Sequence, residues 1–372
     1  MSIQQNNNKR VVLHIHQNFY PYRGGSTMRL LNLIKNDSQF NHVVISRKLD
    51  GDNDYDVHCG IKIYRYSHFY QIPCIMAKLI KLFDIKIIHA HNYRPGVFAC
   101  LVNLFAKRPF ILEMHSIYDV KGTIKNFLKK WVLKKAQKII VISESSREML
   151  VGFDIPREKV EVIYNGIEID RFASISNDQA PWIQDNEFQA FLEKNKGNII
   201  VGYVGSLKSF QGIDNIVEIS KHLNNDKVAL LVVGGSKSES NDLKNKIQYE
   251  NAYVRPFVDQ DQVHAVYSVI RVLLMPRPLD RKTDSAVPLK PIEALASGCL
   301  VYSTNVAGML ELKAASNTNR IQIMNIDEMI RRLNTLDDSS LDATDMSCDL
   351  TPFDLRSQQK KLDDLYLSVL TH

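Results

Sequence analysis

No stretch of the 372 residues approaches the ~20 consecutive apolar positions that a membrane-spanning helix requires, so a helical integral membrane class is excluded. Cysteine is scarce: Cys59, Cys74, Cys100, Cys299 and Cys348 are scattered, odd in number and never spaced as CxxC. That argues against both a disulfide framework and a zinc site, and leaves reduced core thiols. Internal repeats and low-complexity tracts are absent. So are a Walker A loop, a GxGxxG turn and a GxSxG elbow, which removes the main support for ATP hydrolysis, dinucleotide oxidoreduction and serine hydrolysis. The opening MSIQQNNNKR is polar and leads straight into a strand pattern, so neither a signal nor a transit peptide is expected and the simplest localisation is cytoplasmic.

What the chain does contain is ordinary for a soluble globular protein, with 45% hydrophobic and 24% charged residues. The length suits two domains of about 170 residues each. The net charge of +6 is modest, but it is concentrated. KGTIKNFLKKWVLKKAQK, Lys121 to Lys138, holds seven lysines and no acid, with Ile124, Phe127, Leu128 and Trp131 at helical spacing. A basic amphipathic helix of this kind suits the anionic face of a membrane, with Trp131 as interfacial anchor. It equally suits a surface helix with a solvated lysine face. Nucleic acid is not expected, because the basic patch is local and no recognition motif accompanies it. The acidic run DGDNDYD, Asp50 to Asp56, reads as a solvated loop. A calcium loop would need glycine where Tyr55 stands and glutamate where Ile61 stands.

β-Branched runs alternate with helical patterns throughout, the signature of parallel α/β construction. Strands are expected near Val11–Ile15, Val43–Ser46, Ile61–Tyr66, Ile85–His89, Phe110–Met114, Ile139–Ile142 and Val160–Ile163. After the polar stretch Ala173–Asn198, with a short helical pattern at Phe188–Leu192, they resume near Ile199–Val204, Val228–Val233, Ala252–Arg255, Arg271–Met275, Leu300–Ser303 and Arg320–Met324. The expected organisation is a first domain over 1–172, a linker over 173–198, a second domain over 199–352 and a terminal helical segment over 353–372.

The most informative segment is PRPLDRKTDSAVPLKPIEALASG, Pro276 to Gly298. Pro291 suits the first position of a helix, Gly298 supplies the stop, and Ile292, Leu295 and Ala296 make an apolar face. Lys290 then lies beside the unpaired N–H groups of a helix start, which with Arg277 would grip a diphosphate. Glu293, one turn in, can accept from sugar or ribose hydroxyls.

Six further segments accompany it in order: VVLHIHQNFYPYRGGSTMRLLNLI (Val11 to Ile34), IIHAH (Ile87 to His91), FILEMHS (Phe110 to Ser116), IIVISESSREML (Ile139 to Leu150), VIYNGIEIDRF (Val162 to Phe172) and GYVGSLKSFQGIDNIV (Gly202 to Val217). With these the chain resembles, over nearly its whole length, the GT-B glycosyltransferases of glycosyltransferase family 4 (glycosyl transferases group 1). The resemblance implies two Rossmann-like, doubly wound α/β domains facing across a cleft, an acceptor-side domain first and a nucleotide-sugar-binding domain second. The terminal segment would cross back onto the first domain. It also implies a retaining, metal-independent transfer of a hexose or N-acetylhexosamine, with no cofactor, from a nucleotide diphosphate sugar to a glycan or polyprenyl-linked acceptor in bacterial surface polysaccharide synthesis. A peripheral position at the inner face of the plasma membrane goes with it.

The resemblance assigns roles by position. Gly24 and Gly25, ahead of a helix that Ser26 is expected to cap, lie near the donor diphosphate and acceptor. His115 lies beside the donor sugar, although Ser116 stands where the family often has Asp. In HAH, His89 and His91 are read as pointing to opposite strand faces, one into the core and His91 toward the cleft. Gly205, Ser206, Lys208 and Gln211 in GSLKSFQG, together with Pro288 and Leu289, would line the donor site. Many relatives carry Arg and Lys where this chain has Ser206 and Gln211, so the anchoring charge is expected at Arg277 and Lys290, with Lys208 beside them. The first glutamate of the family's E-x7-E pattern falls at Ser285, and only Glu293 remains. Two alternatives stay open: a nucleotide-sugar 2-epimerase of GT-B fold, and a catalytically silent GT-B binding subunit.

Overall fold

The structure is a computed structural model and describes residues 9–22, 24–35, 37–115, 123–173, 185–259, 262–279, 286–342 and 345–371. The chain divides into two compact units, one formed by Met1–Gly166 with Leu355–His372 and the other by Ile167–Asp354. The second unit therefore begins at Ile167, and the helix Asn186–Lys194, which the sequence places in a linker, is part of it.

Among the described residues of the first unit, eight strands share one sheet: β1 (Arg10–Ile15), β2 (Phe40–Arg47), β3 (Tyr55–His58), β4 (Ile61–Tyr66), β5 (Ile85–His91), β6 (Phe110–Met114), β7 (Lys138–Val141) and β8 (Val160–Val162). Their spatial order is β3-β4-β2-β1-β5-β6-β7-β8. Pairing is parallel throughout except at the β3-β4 hairpin. β5 and β6 are buried almost residue for residue, as strands covered on both faces must be. Most of the acidic run is exposed, as a solvated loop should be, but its last two residues, Tyr55 and Asp56, belong to β3. Arg65 Nε lies 3.2 Å from Asp52 Oδ2 and Nη2 3.5 Å from Asp56 Oδ2, so that run is a turn clamped by a buried guanidinium.

The helix Leu355–Leu370 completes the core of this first unit. Its Leu355, Leu362, Leu365, Tyr366 and Val369 pack with Leu30, Ile34, Phe40, Val44 and Ile87, and Gln358 Oε1 accepts from Tyr164 N at 2.8 Å. The basic helix spans Thr123–Lys135 and buries Lys129, Val132 and Leu133. Its apolar positions split: Leu128 and Trp131 are half-buried, whereas Ile124 is 76% and Phe127 68% exposed. Beside it the helix Tyr93–Ala106 exposes Leu101, Leu104 and Phe105.

Among the described residues of the second unit, six parallel strands form the sheet: β9 (Ile199–Val204), β10 (Val228–Val233), β11 (Ala252–Arg255), β12 (Val272–Met275), β13 (Leu300–Ser303) and β14 (Ile321–Ile323). The order is β11-β10-β9-β12-β13-β14. In each sheet the winding reverses once, between β1 and β5 in the first unit and between β9 and β12 in the second. Open α/β sheets bind ligands outside the carboxyl ends of strands at such reversals. The loops after β9 and β12 are GSLKSFQG and the start of the Pro276 segment.

Candidate active site

The helix that follows β12 runs Leu289–Ala296 with Pro288 at its N-cap, two residues earlier than the sequence suggests. Lys290 is thus its second residue and Pro291 its third. Proline is accepted there because first-turn N–H groups have no acceptor within the helix. Ile292 and Leu295 are buried with Ala294, while Ala296 is half-buried. Gly298 ends the helix at φ +88°. Ser285 lies outside the described residues.

Gln211 Oε1 accepts from both cations, Arg277 Nη2 at 2.8 Å and Lys290 Nζ at 3.1 Å. The Lys290 ammonium also stands 5.3 Å from the centre of the Tyr203 ring, and Tyr203 Oη donates to the Ser206 carbonyl at 2.6 Å. Burial, reinforced by Arg277 and only partly offset by Glu293, lowers the Lys290 pKa to about 7. Arg277 is 9% exposed and its Nε has no hydrogen-bond partner. Among the described residues, neither cation forms an ion pair with a carboxylate.

The backbone is shaped around these groups. Gly205 has φ +143°, and a Cβ there would overlap the Lys290 ammonium. Gly212 has φ +91°, and a Cβ there would overlap the Pro276 carbonyl. Only glycine lets these loops approach so closely. Asn215 Nδ2 donates to that carbonyl at 2.8 Å, and Thr304 Oγ1 donates to the Arg277 carbonyl at 2.6 Å, so the loop bearing Arg277 is tied down on both sides. Glu293 Oε2 accepts from the buried Tyr267 Oη at 3.0 Å, and burial raises the Glu293 pKa.

Gly205, Ser206, Gln211, Arg277 and Lys290 therefore converge. Lys208 does not join them: its ammonium sits 2.7 Å from Glu239 Oε1, and Glu239 also completes the capping box of the helix Lys237–Lys244 with Ser236. Pro288 caps its helix and Leu289 is exposed. The sequence reading missed Gly234 and Gly235, which follow β10. A Cβ on Gly234 would overlap the Gly205 carbonyl, and Gly235, at φ +70°, packs against Leu207. A glycine pair directly after the apolar run VALLVV was the available signal.

In the first unit Gly24 is the N-cap of the helix Gly25–Ile34, without a side-chain cap, so Ser26 lies inside the first turn instead of capping it. Nothing stands within 4 Å of a Cβ built on Gly25. His115 follows β6 with Nδ1 3.5 Å from Glu113 Oε1, and burial lowers its pKa to about 4. Ser116 lies outside the described residues. His89 and His91 do not diverge. Residues two apart on a strand share a face, and the two buried rings stack with centroids 4.4 Å apart.

Sequence reasoning also missed Arg29 and Glu113. Arg29 Nε donates to Glu113 Oε1 at 2.6 Å, and its Nη atoms donate to the carbonyls of Tyr164 and Ile163 at 2.6 and 2.7 Å. Burial works against the charge on Glu113, yet Arg29 and the imidazoles around it hold the carboxyl well below its usual range. The single acid inside FILEM was the signal.

Comparison with known proteins places this geometry. Residues 23–171 match the family Glycosyltransferase Family 4 and residues 184–345 the family Glycosyl transferases group 1. Over 318 residues the chain is 24% identical to a 41.2 kDa protein of the cps region of Klebsiella pneumoniae, covering 81% of this chain and 82% of that one. It is 20% identical over 306 residues to the glycosyltransferase MJ1607 of Methanocaldococcus jannaschii, covering 75% of each. Among solved structures, Anabaena HepE in complex with UDP-glucose superposes with a TM-score of 0.73 at 16% identity, covering 96% of this chain and 99% of that one. A glycosyltransferase from Rickettsia africae superposes at 0.75 and 17% identity, covering 98% and 99%. Two consecutive family matches, laid over two Rossmann-like units whose winding reverses once each, make this chain a GT-B glycosyltransferase belonging to glycosyltransferase family 4 and the glycosyl transferases group 1.

Proposed function

We propose that this glycosyltransferase moves a hexose or N-acetylhexosamine, with retention, from a nucleotide diphosphate sugar to a glycan or lipid-linked acceptor in surface polysaccharide synthesis, and needs no divalent ion at the diphosphate. The observation that carries the donor reading is the pair Arg277 and Lys290 held on one amide oxygen, with no carboxylate paired to either among the described residues. Two cations so placed, Arg277 buried and Lys290 half-buried, repel each other, and an anion relieves that repulsion. The relative from a cps region supports the surface-polysaccharide role, and the UDP-glucose complex of HepE makes UDP the first nucleotide to try.

As the anomeric C–O bond breaks, negative charge grows on the departing diphosphate. Arg277, Lys290 and the free amides of Leu289 and Lys290 would stabilise it, the largest contribution protein groups can make here. Glu293 would hold ribose or sugar hydroxyls, His115 the donor sugar, and Gly24 with Gly25 the diphosphate and acceptor side. The acceptor hydroxyl would pass its proton to the leaving phosphate, so no protein nucleophile is required.

The test is a thermal-shift screen in EDTA against UDP, GDP, ADP, CMP and their sugars. A ligand at 100 times its Kd stabilises by about 2.7 kcal/mol. Stabilisation by one nucleotide family, lost in Arg277→Ala and in Lys290→Ala, is the expected result; no shift from folded protein overturns the reading in favour of a silent subunit. Product formed without any acceptor would instead identify the epimerase.

Membrane contact is the second part of the proposal. No described helix is long and apolar enough to cross a membrane. The exposed Leu101, Leu104, Phe105, Ile124 and Phe127, with the exposed Lys125, Lys130 and Lys134, lie on two helices in contact with each other, and apolar residues with lysines of this kind suit an anionic leaflet. Each lysine near such a surface contributes about 1 kcal/mol. Co-sedimentation with phosphatidylserine vesicles, weakened by Phe105→Ser with Phe127→Ser and by added salt, is expected; equal recovery with and without vesicles removes the membrane from the proposal.

A further inference from the structure

Three imidazoles gather at the carboxyl ends of three neighbouring strands in the first unit. His16 follows β1, His91 ends β5 and His115 follows β6, at the point where the winding of that sheet reverses. One ring nitrogen from each lies within 4.8 Å of one from each of the others. His16 is 4% and His91 1% exposed. Both ring nitrogens of His16, Nδ1 of His91 and Nε2 of His115 are buried without a hydrogen-bond partner. Leaving so many buried polar atoms unmatched in one place is costly, and a bound group would satisfy them together.

Neighbouring residues set the direction of these nitrogens. Asp37 Oδ2 lies 2.8 Å from His42 Nε2, His42 Nδ1 2.9 Å from His14 Nε2, and His14 Nδ1 3.1 Å from His91 Nε2. This chain engages His91 Nε2, while its Nδ1 makes no hydrogen bond and lies 3.6 Å from Glu113 Oε2. Glu113 Oε1, 3.5 Å from His115 Nδ1, likewise leaves Nε2. An outer carboxylate on one nitrogen of a ligand histidine is the usual way such a ring is oriented toward an ion. His14 belongs to a second imidazole group with His89 and His91, but both of its nitrogens are engaged, so it positions a ligand rather than being one.

We infer that His16, His91 and His115 form a tri-imidazole site for a divalent transition-metal ion of Zn2+ character. Three neutral nitrogens suit Zn2+ far better than Mg2+ or Ca2+, which take oxygen ligands. Zn–N bonds of about 2.1 Å put tetrahedral ligand nitrogens roughly 3.4 Å apart, against the 4.8 Å within which the present nitrogens lie, so an ion would draw the rings together. The fourth position is left for solvent. This site uses nitrogen ligands of the first unit and shares His115 with the donor reading, whereas His16 and His91, the residues tested below, have no part in that reading.

The test uses the full chain stripped with chelator, then titrated with Zn2+ or Co2+ alone. One equivalent is expected to bind, and Co2+ is expected to give the visible absorption of a four-coordinate nitrogen site. His16→Asn and His91→Asn should each weaken Zn2+ binding at least about 100-fold in competition with a chromophoric chelator, since even outer-shell partners cost 10–100-fold. His222→Gln, an exposed control, should leave it unchanged. Where a variant does not fold, the wild-type Co2+ spectrum decides. No stoichiometric uptake, a six-coordinate spectrum, or binding that survives in folded His16→Asn overturns the inference.

Discussion

Gly205 faces the ammonium of Lys290 so closely that a methyl group on its α-carbon would occupy the same space. This pair joins the loop after β9 to the helix after β12. Gly205→Ala should push Lys290 off Gln211 and also strain a backbone at φ +143°. A loss of about 1–3 kcal/mol in stability and at least tenfold in nucleotide affinity is expected, measured by denaturant unfolding and calorimetric titration. Unchanged affinity would show that Lys290 need not stand where it does.

The depressed pKa of Lys290 has two consequences for pH. The folded value is about 7 against an ordinary 10.5, so between these the unfolded chain binds more protons and stability rises with pH. The contribution is complete above about 10.5 and lost as pH falls through about 7. A bound diphosphate favours the ammonium, so binding at pH 8 should take up close to one proton. Calorimetry in HEPES and in Tris, whose ionisation enthalpies differ, counts it, and Lys290→Met should abolish it.

Lys208 separates local charge from useful charge. Because Glu239 holds its ammonium, Lys208→Ala should change nucleotide affinity by less than about threefold, under 0.7 kcal/mol, whereas Arg277→Ala should remove at least tenfold. Equal losses in the two variants would mean that Lys208 leaves Glu239 for the donor.

Arg29 and Glu113 make a buried ion pair, 2.6 Å apart. Removing one partner leaves an uncompensated charge among imidazoles, and Arg29→Ala should cost about 3–5 kcal/mol. Replacing both, as Arg29→Met with Glu113→Gln, should recover part of that loss. Urea unfolding of the two variants reads the difference.

Much of the fold was legible because parallel strands are apolar runs with β-branched residues. Ile61–Tyr66, Phe110–Met114, Ile199–Val204 and Val228–Val233 fall where those runs fall. The hairpin strand Tyr55–His58 escaped because YDVH is short, polar and held by Arg65 from the next strand, a long-range cause that local pattern does not encode. In the donor region Arg277, Lys290 and Gly298 could be read from helix chemistry, whereas the divergence of Lys208 depends on Glu239, 31 residues away. The histidine cluster needed only the period of a strand. HIH at the end of β1, with His16 just past the strand, and HAH in β5 each put two imidazoles on one face, and the pairing His14↔His89 sets those faces side by side.

The helix Leu355–Leu370 carries a consequence for how the protein is made. The first unit borrows Leu362, Leu365 and Tyr366 from it to fill its core, so a ribosome must translate the whole second unit before the first can close. At about 5–20 residues per second that delay is on the order of 10–40 s. The second unit is one continuous segment, Ile167–Asp354, and is free to finish first. During synthesis the order of completion along this chain is reversed, and the half that emerges earliest waits longest with its apolar surface uncovered.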